Sequence, residues 1–434
     1  MRARVLWWAA ALATGLILWR VFAVLIEPLD FGMLWEAGRE IRAGVDPYPP
    51  LGAPDLGTTH QLVYPYLAAF PFLVFGFFSW PVAGALFFAL SARAVTGAVW
   101  AAGYRDPLAA PLLLLSSVTI IGLQIGSLNA LFLFGLVLAW RWRDRPWVPG
   151  VVVGVLITAK LFLLPVLAWL LLSRRPRAAL VAAGLPAVLI GLGLSIGPIG
   201  PADYVQLLGE LSASEEGKGA SVTAYFVAHG AGELARPVTA VLAGGLVLAA
   251  WGLYRRGHDE RIVYAASIGA ALVLSPIVWA HYLVLLAAPL LVLGARRAAL
   301  VWFAATSWLL YLPHGVPALL PAEVLPWVPA LAVLVATAAW VLDRPRPGWR
   351  HPVLWTAVVL WALLVVTVVV RPVGATPAAV LCWLLLCLLW VYRRTAPDGG
   401  PGRLDFRDGD DSGRQGHRGG DQVGARGPRG ETGP

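Results

Sequence analysis

Apolar runs recur along most of the chain, near residues 5–27, 63–79, 82–103, 108–122, 127–141, 148–172, 178–197, 236–254, 262–279, 282–295, 298–312, 325–342, 352–370 and 376–392. A bilayer-crossing helix needs about 20 apolar residues, and some of these runs are too short or too long for one crossing. The pattern predicts an all-α polytopic membrane protein with about 12 to 14 transmembrane helices. Arginine clusters punctuate the runs at Arg141–Arg145, Arg174–Arg177, Arg255–Arg261, Arg296-Arg297, Arg344–Arg350 and Arg393-Arg394. Such clusters mark cytoplasmic loops. If both Arg141 and Arg174 lie inside, 148–172 must be a hairpin of two short helices with Lys160 at its outer tip. The first run reads as a span with its N-terminus inside, too long and without the small-residue pattern of a cleaved signal. Between 80 and 106 the parity of crossings does not close, because Arg93 interrupts a run and Arg105-Asp106 fit either side.

Two polar segments, 28–62 and 198–235, are expected outside. In the first, Leu34, Ala37 and Ile41 recur at helical spacing with Glu36, Arg39, Glu40 and Arg42 around the turn, which predicts a short amphipathic helix over 33–43. The second is rich in glycine and carries Glu210, Glu215 and Glu216. Residues 396–434 have almost nothing apolar and are expected to be a disordered tail. That leaves 1–395 as the membrane domain. The acidic stretch Arg407–Asp411 in the tail reads as solvated.

Composition sharpens the class. Of 434 residues, 59% are hydrophobic and 13% charged, against roughly 25% charged in a soluble domain. The net charge of +9 is spread through short loop clusters, which points to membrane orientation and away from nucleic acid. Many tryptophans sit near run ends (Trp7, Trp8, Trp140, Trp142, Trp251, Trp390), where the headgroup zone suits indole. Cys382 and Cys387, five residues apart inside an apolar run, fit helix packing and neither a redox pair nor a metal site.

Charged groups within apolar runs cost about 2.5–3.5 kcal/mol each at a helix centre, so each needs a reason. Asp30 follows the first span directly; it is either a plain interfacial carboxylate or a functional one. Lys160, one of two lysines with Lys218, either snorkels or holds a phosphate, a contact worth about 4 kcal/mol at ~4 Å in an effective dielectric near 20 before desolvation. Gln124 and Asn129 either bond a neighbouring helix or face a ligand. His281, after Pro276 and Trp279, sits at a break between two runs. A topology exists that puts Asp30, Gln124, Lys160 and His281 on one face, and a carboxylate, a cation and an imidazole together suit group transfer.

The order of these elements resembles glycosyltransferase family 87, of the GT-C superfamily, over roughly residues 1–300. The family places an Asp after the first span, then G-x-D-P-Y and Y-P-P. Here these read Asp30, Gly44-Val45-Asp46-Pro47-Tyr48 and Tyr64-Pro65-Tyr66. A G-Q-x-N-like element corresponds to Leu123-Gln124 with Asn129, a Lys-Pro to Lys160-Leu161, and S-x-x-W-x-H to Ser275, Trp279 and His281. Tyr66, Leu123 and Leu161 depart from the pattern at backbone-shaping positions.

The resemblance implies a GT-C fold and a multi-pass enzyme of the cytoplasmic membrane with its active site facing outside. It implies a polyprenyl-phosphate sugar donor, mannose above all, and a glycolipid or cell-envelope polysaccharide acceptor. Asp30 is then the catalytic base, Lys160 and His281 the donor-phosphate ligands, and Gln124, Asn129, Tyr48, Tyr64 and Trp279 substrate-binding residues. Trp35 is a further candidate to stack on a sugar. No cofactor or metal is expected, since Phe31 and not a second acid follows Asp30. The main rival is a transporter or lipid-linked-sugar flippase, because intramembrane charges also mark transport pathways.

Overall fold

The computed structural model describes residues 2–25, 29–53, 56, 62–215, 217–294, 297–310 and 328–342, with 358–359, 361–362, 380, 383–389 and 391–392 near the C-terminus. They all belong to one compact unit, Met1–Gly399. The expected tail, its acidic stretch, Cys382, Trp390 and the arginine clusters at 344–350 and 393–394 lie outside the described residues.

Among the described residues every regular element is helical. In chain order they are α1 (Arg2–Leu25), α2 (Leu29–Ala43), a 3-10 segment (Tyr66–Phe77), α3 (Trp80–Ala101), α4 (Ala109–Leu114), α5 (Ser117–Gln124), α6 (Asn129–Arg141) and α7 (Val148–Ala159). A second 3-10 segment (Leu161–Val166), α8 (Leu167–Leu172), α9 (Pro176–Ile196), α10 (Pro201–Glu215), α11 (Val222–Ala228), α12 (Gly232–Arg255) and α13 (Arg261–Leu274) follow. A third 3-10 segment (Ala280–Leu286), α14 (Ala287–Val292), α15 (Arg297–Ser307) and α16 (Val328–Leu342) come next. Trp80–Ala101, Pro176–Ile196 and Gly232–Arg255 are long and apolar enough to cross a bilayer, and the shorter apolar helices include Val148–Ala159, Arg261–Leu274 and Ala280–Val292.

Arginine loops gather at one end of the bundle. Arg175 donates to the Arg143 carbonyl at 2.8 Å and grips Glu260 through both guanidinium nitrogens, at 2.8 and 3.2 Å. Arg143 reaches the same Glu260 at 3.1 Å. Arg141 donates to the Ala101 carbonyl, and Arg297 clamps Asp106 at 2.7 and 3.0 Å. The Arg297 guanidinium holds the Asp106 carboxyl below its usual range. The loops near 101–106, 141–145, 173–177, 255–261 and 297 therefore share one end of the bundle, the arginine end.

Residues 148–172 do form a hairpin. Gly150 lies against the Ala178 carbonyl and Gly154 against Ala182 and Leu185. Thus α7 and α9 leave the arginine end side by side, and α8 returns to it between them in sequence. The turn falls at Lys160, which is extended (φ −145°, ψ 110°). Pro165 enforces it, since an α-helix continued through 161–165 would lose a hydrogen bond and clash with the Leu161 carbonyl. Pro276 acts likewise: the residue before a proline avoids the α region, and α13 stops at Leu274 with Ser275 extended (ψ 125°).

Two sequence expectations change, for the run 63–79 and for Trp140, and the segment 198–235 gains definition. The run 63–79 is a 3-10 segment that lies against α2: Gly38 meets the Phe72 backbone, Arg42 donates to the Gly76 carbonyl at 2.7 Å, and Trp35 donates to the Phe78 carbonyl. Its start touches the far end of α9, at Gly193 and Gly197. It thus joins α2 to α3 at the end remote from the arginines, and parity from α1 to α3 closes without it. The segment 198–235 is largely helical, with Pro201 and Asp203 in the first turn of α10 and Tyr204 and Leu207 buried a turn apart, an arrangement that favours a helix start. Trp140 is no interfacial anchor; it is buried, stacked on Trp169 at 5.6 Å and flanked by Arg143.

A Cβ at Gly150 would collide with the Ala178 carbonyl oxygen, whereas one at Gly191 meets nothing within 4 Å. Gly150→Ala is expected to destabilise the purified protein by about 1–3 kcal/mol. Gly191→Ala should be neutral or stabilising by up to ~1 kcal/mol. Equal melting of the two variants in detergent would contradict the α7–α9 contact.

Candidate functional site

The first part of the site is a helix terminus. Gly126 adopts φ 69°, and behind it Ser127 N–H bonds the Gly122 carbonyl at 2.8 Å while Gly126 N–H bonds that of Leu123 at 3.4 Å. This is the Schellman ending that a left-handed glycine allows. It leaves the Ile125 carbonyl free, and the Asp30 N–H donates to it at 2.9 Å. Asp30 lies in the first turn of α2, where backbone N–H groups lack intrahelical partners. One bond therefore pins the start of α2 to the end of α5.

The rest of α2 is held by aromatic packing. Phe31 is fully buried, with ring centroids 4.4 Å from Phe87, 5.3 Å from Phe75 and 5.9 Å from Trp80. Leu34 and Ala37 are buried as the periodicity predicts, whereas Ile41 is half-buried. The inner face of α2 meets protein, and Arg39 and Arg42 lie over Trp35 and Phe77.

His281 enters from the break after α13. The Ser275 hydroxyl donates to the Ile277 carbonyl at 2.6 Å within that break. Gly122 faces the His281 Cβ, and a Cβ built on it would lie in ordinary contact at 3.4 Å, so the two segments pack side by side. The His281 Nε2 lies 3.8 Å from Asp30 Oδ2, too far for a hydrogen bond, and is buried without another partner.

Lys160 completes the group. Its Nζ donates to the Tyr282 hydroxyl at 2.8 Å and sits 4.4 Å from the Tyr282 ring centroid and 5.6 Å from that of Tyr64. Tyr282 also packs on Phe162 and against His281. Lys160, His281 and Asp30 thus gather at the end of the bundle remote from the arginines, in the order Lys160, Tyr282, His281, Asp30, and Gln124 precedes Ile125 at the end of α5.

Electrostatics make Asp30 unusual. It is on α2, outside the membrane-spanning helices. Burial raises its carboxyl pKa above the ordinary aspartate value, and the Lys160 charge and a hydrogen bond from Ser127 offset this only in part. Asn129 Nδ2 donates to Ser127 Oγ at 2.8 Å, so an ordered chain runs from Asn129 through Ser127 to the carboxylate. Gln124 is fully buried with both amide atoms unpartnered, and Asn129 Oδ1 is unpartnered too. Buried polar atoms without partners cost about 1–3 kcal/mol each, a cost that a ligand rich in hydroxyls would remove.

Tyr48 packs into the protein. It is buried, donates its hydroxyl to the Tyr64 carbonyl at 2.9 Å and packs on Tyr66 and Tyr204. With Asp46 accepting the Tyr48 N–H and Leu62 N–H on the Pro47 carbonyl, the Asp46-Pro47-Tyr48 turn holds Tyr64 from behind. Tyr64 is also buried, but beside Lys160. Trp35 is occupied by Trp80 and the Phe78 carbonyl. Trp279 is half-buried and packs over Gly219. Sequence reasoning missed Ser127 and Tyr282. The adjacency of Tyr282 to His281 was the available signal, but its phenol lies in an apolar run.

The profile of glycosyltransferase family 87 matches residues 62–276, which include Tyr64, Gln124, Asn129 and Lys160, while Asp30 and His281 lie beyond its two ends. No curated protein and no solved structure matches the chain. The chain belongs to glycosyltransferase family 87 and is a membrane glycosyltransferase.

Proposed function

We propose that the protein transfers a sugar, mannose by preference, from a polyprenyl-phosphate donor to a glycolipid or cell-envelope glycan, with inversion, on the outer face of the cytoplasmic membrane. The observation that carries this reading is the meeting of Asp30, His281 and Lys160 at one end of a bundle whose arginine loops gather at the other. By the positive-inside rule the arginine end faces the cytoplasm.

In this reading the donor lies with its phosphate against the Lys160 ammonium and its prenyl chain in lipid. The acceptor hydroxyl oxygen attacks the anomeric carbon and gives its proton to the Asp30 carboxylate. The bond from that carbon to the phosphate oxygen breaks, and the polyprenyl phosphate leaves with the electron pair. Lys160 offsets the negative charge that grows on this oxygen. Tyr282 holds Lys160 in place, and Ser127, backed by Asn129, orients the carboxylate. His281 Nε2 and the Gln124 amide bind sugar or phosphate oxygens, and Trp279 lines the approach. Because α7 has 12 residues, it rises only about 18 Å, less than the ~30 Å apolar core. The hairpin tip therefore meets the donor below the outer surface.

Asp30→Asn should lower transfer in membranes at least 10²–10⁴-fold, the usual worth of a general base, while insertion and donor binding persist. Full activity of that variant would remove the assignment. The pH dependence gives a second check. The base works deprotonated, and its pKa is raised, so the acid limb of kcat/KM should lie above the ~3.9 of a free aspartate. Lys160→Met removes a charge that lowers this pKa, so the limb should move to still higher pH while donor affinity falls. An unmoved limb with unchanged donor binding would separate Lys160 from the reaction.

A further inference from the structure

A different anion site is built at the arginine end. A cavity of about 390 Å³ lies between the α6–α7 and α8–α9 loops. Its wall includes the N-terminus of α9, a helix of 21 residues with Pro176 first and no side chain capping it. The leading N–H groups of such a helix carry a partial positive charge and bind anions.

Three further observations give this terminus a ligand to fit. Ser173 lines the cavity, is only 8% exposed, and its hydroxyl has no hydrogen-bond partner. Arg145, Arg174 and Arg177 also line it, are exposed, and show no ion pair among the described residues. The lining also includes one carboxylate, the exposed Asp144, which is paired with Arg143 and Arg175, and the neighbouring Glu260 is held by the same two arginines. Arg174 has φ 59°, a left-handed conformation that an arginine rarely adopts. A glycine would turn there without strain, so the position carries a guanidinium at a cost to the fold.

The apolar surroundings identify the source of the anion. Trp147, Leu171 and Leu180, each two or fewer residues from the lining, are 52%, 60% and 72% exposed. A soluble phosphate has no use for such neighbours, whereas an acyl chain does. We propose that this cavity binds the phosphate headgroup of an anionic phospholipid, with its chains against Trp147, Leu171 and Leu180. The lipid would close the base of the hairpin whose tip is Lys160, since Arg143 and Arg175 join α7 to α8 and α9 there.

The site can be tested on the full-length protein, delipidated in neutral detergent, by thermal unfolding with added lipid. Phosphatidylglycerol should raise the melting temperature in a saturable way, and phosphatidylcholine should not. Arg145→Gln with Arg177→Gln should weaken the apparent affinity about thirty-fold, on the basis of the usual contribution of each basic residue to anionic lipid binding. Arg174→Gly should melt higher than wild type without lipid yet gain less from phosphatidylglycerol. Equal stabilisation by both lipids, or an undiminished response in the double variant, would overturn the proposal. Stabilisation by millimolar inorganic phosphate as strong as that by phosphatidylglycerol would overturn the lipid assignment in favour of a soluble anion.

Discussion

The hydrogen bond from the Asp30 N–H to the Ile125 carbonyl is the constraint on which the site depends. A carboxylate at the end of a first span would otherwise sit on a mobile loop. Here it is fixed because the glycine-ended turn at Gly126 uses the carbonyls of Gly122 and Leu123 and leaves that of Ile125 outward. The same turn presents Ser127 to the carboxylate and Asn129 to Ser127. Gly122 in the same stretch packs against the segment that carries His281. Backbone geometry in one short stretch thus positions a base, its orienting hydroxyl and a neighbouring imidazole.

A second principle governs where the polar groups fall. In a bilayer, backbone groups must be satisfied within the protein, and broken helices are tolerated only where protein or a polar cavity surrounds them. The breaks at Lys160 and at Ile125–Leu128 are buried or half-buried in protein, as is the one at Ser275–Trp279 apart from the exposed Pro276. Each delivers a polar side chain from a helix end, where it need not displace helix packing. Pro165 and Pro276 make two of these breaks obligatory and Gly126 makes the third, so the site is encoded by residues that do not touch a substrate.

Much of this could be read from the chain. The arginine clusters required a hairpin at 148–172, which placed Lys160 at its tip, and the break near Pro276 marked His281. What could not be read has physical causes. Apolar content does not distinguish a span from a segment packed on another helix, and so 63–79 looked like a crossing. The glycines and glutamates of 198–235 gave no element there, although Tyr204 and Leu207 are buried a turn apart in α10. Contacts far apart in sequence leave no periodic trace; Lys160 and Tyr282 are 122 positions apart. Tyr48 stood out because of the Asp46-Pro47-Tyr48 turn, but only packing shows that its hydroxyl supports the Tyr64 backbone.

The central claim is that Asp30 and Lys160 act on opposite sides of one glycosyl phosphate. A density map of the protein in nanodiscs with a non-transferable polyprenyl-phosphate sugar analogue tests it most directly. The account predicts phosphate density in contact with the Lys160 ammonium and the anomeric carbon between that phosphate and the Asp30 carboxylate. A phosphosugar bound away from both residues, or with its phosphate against Asp30, would contradict it.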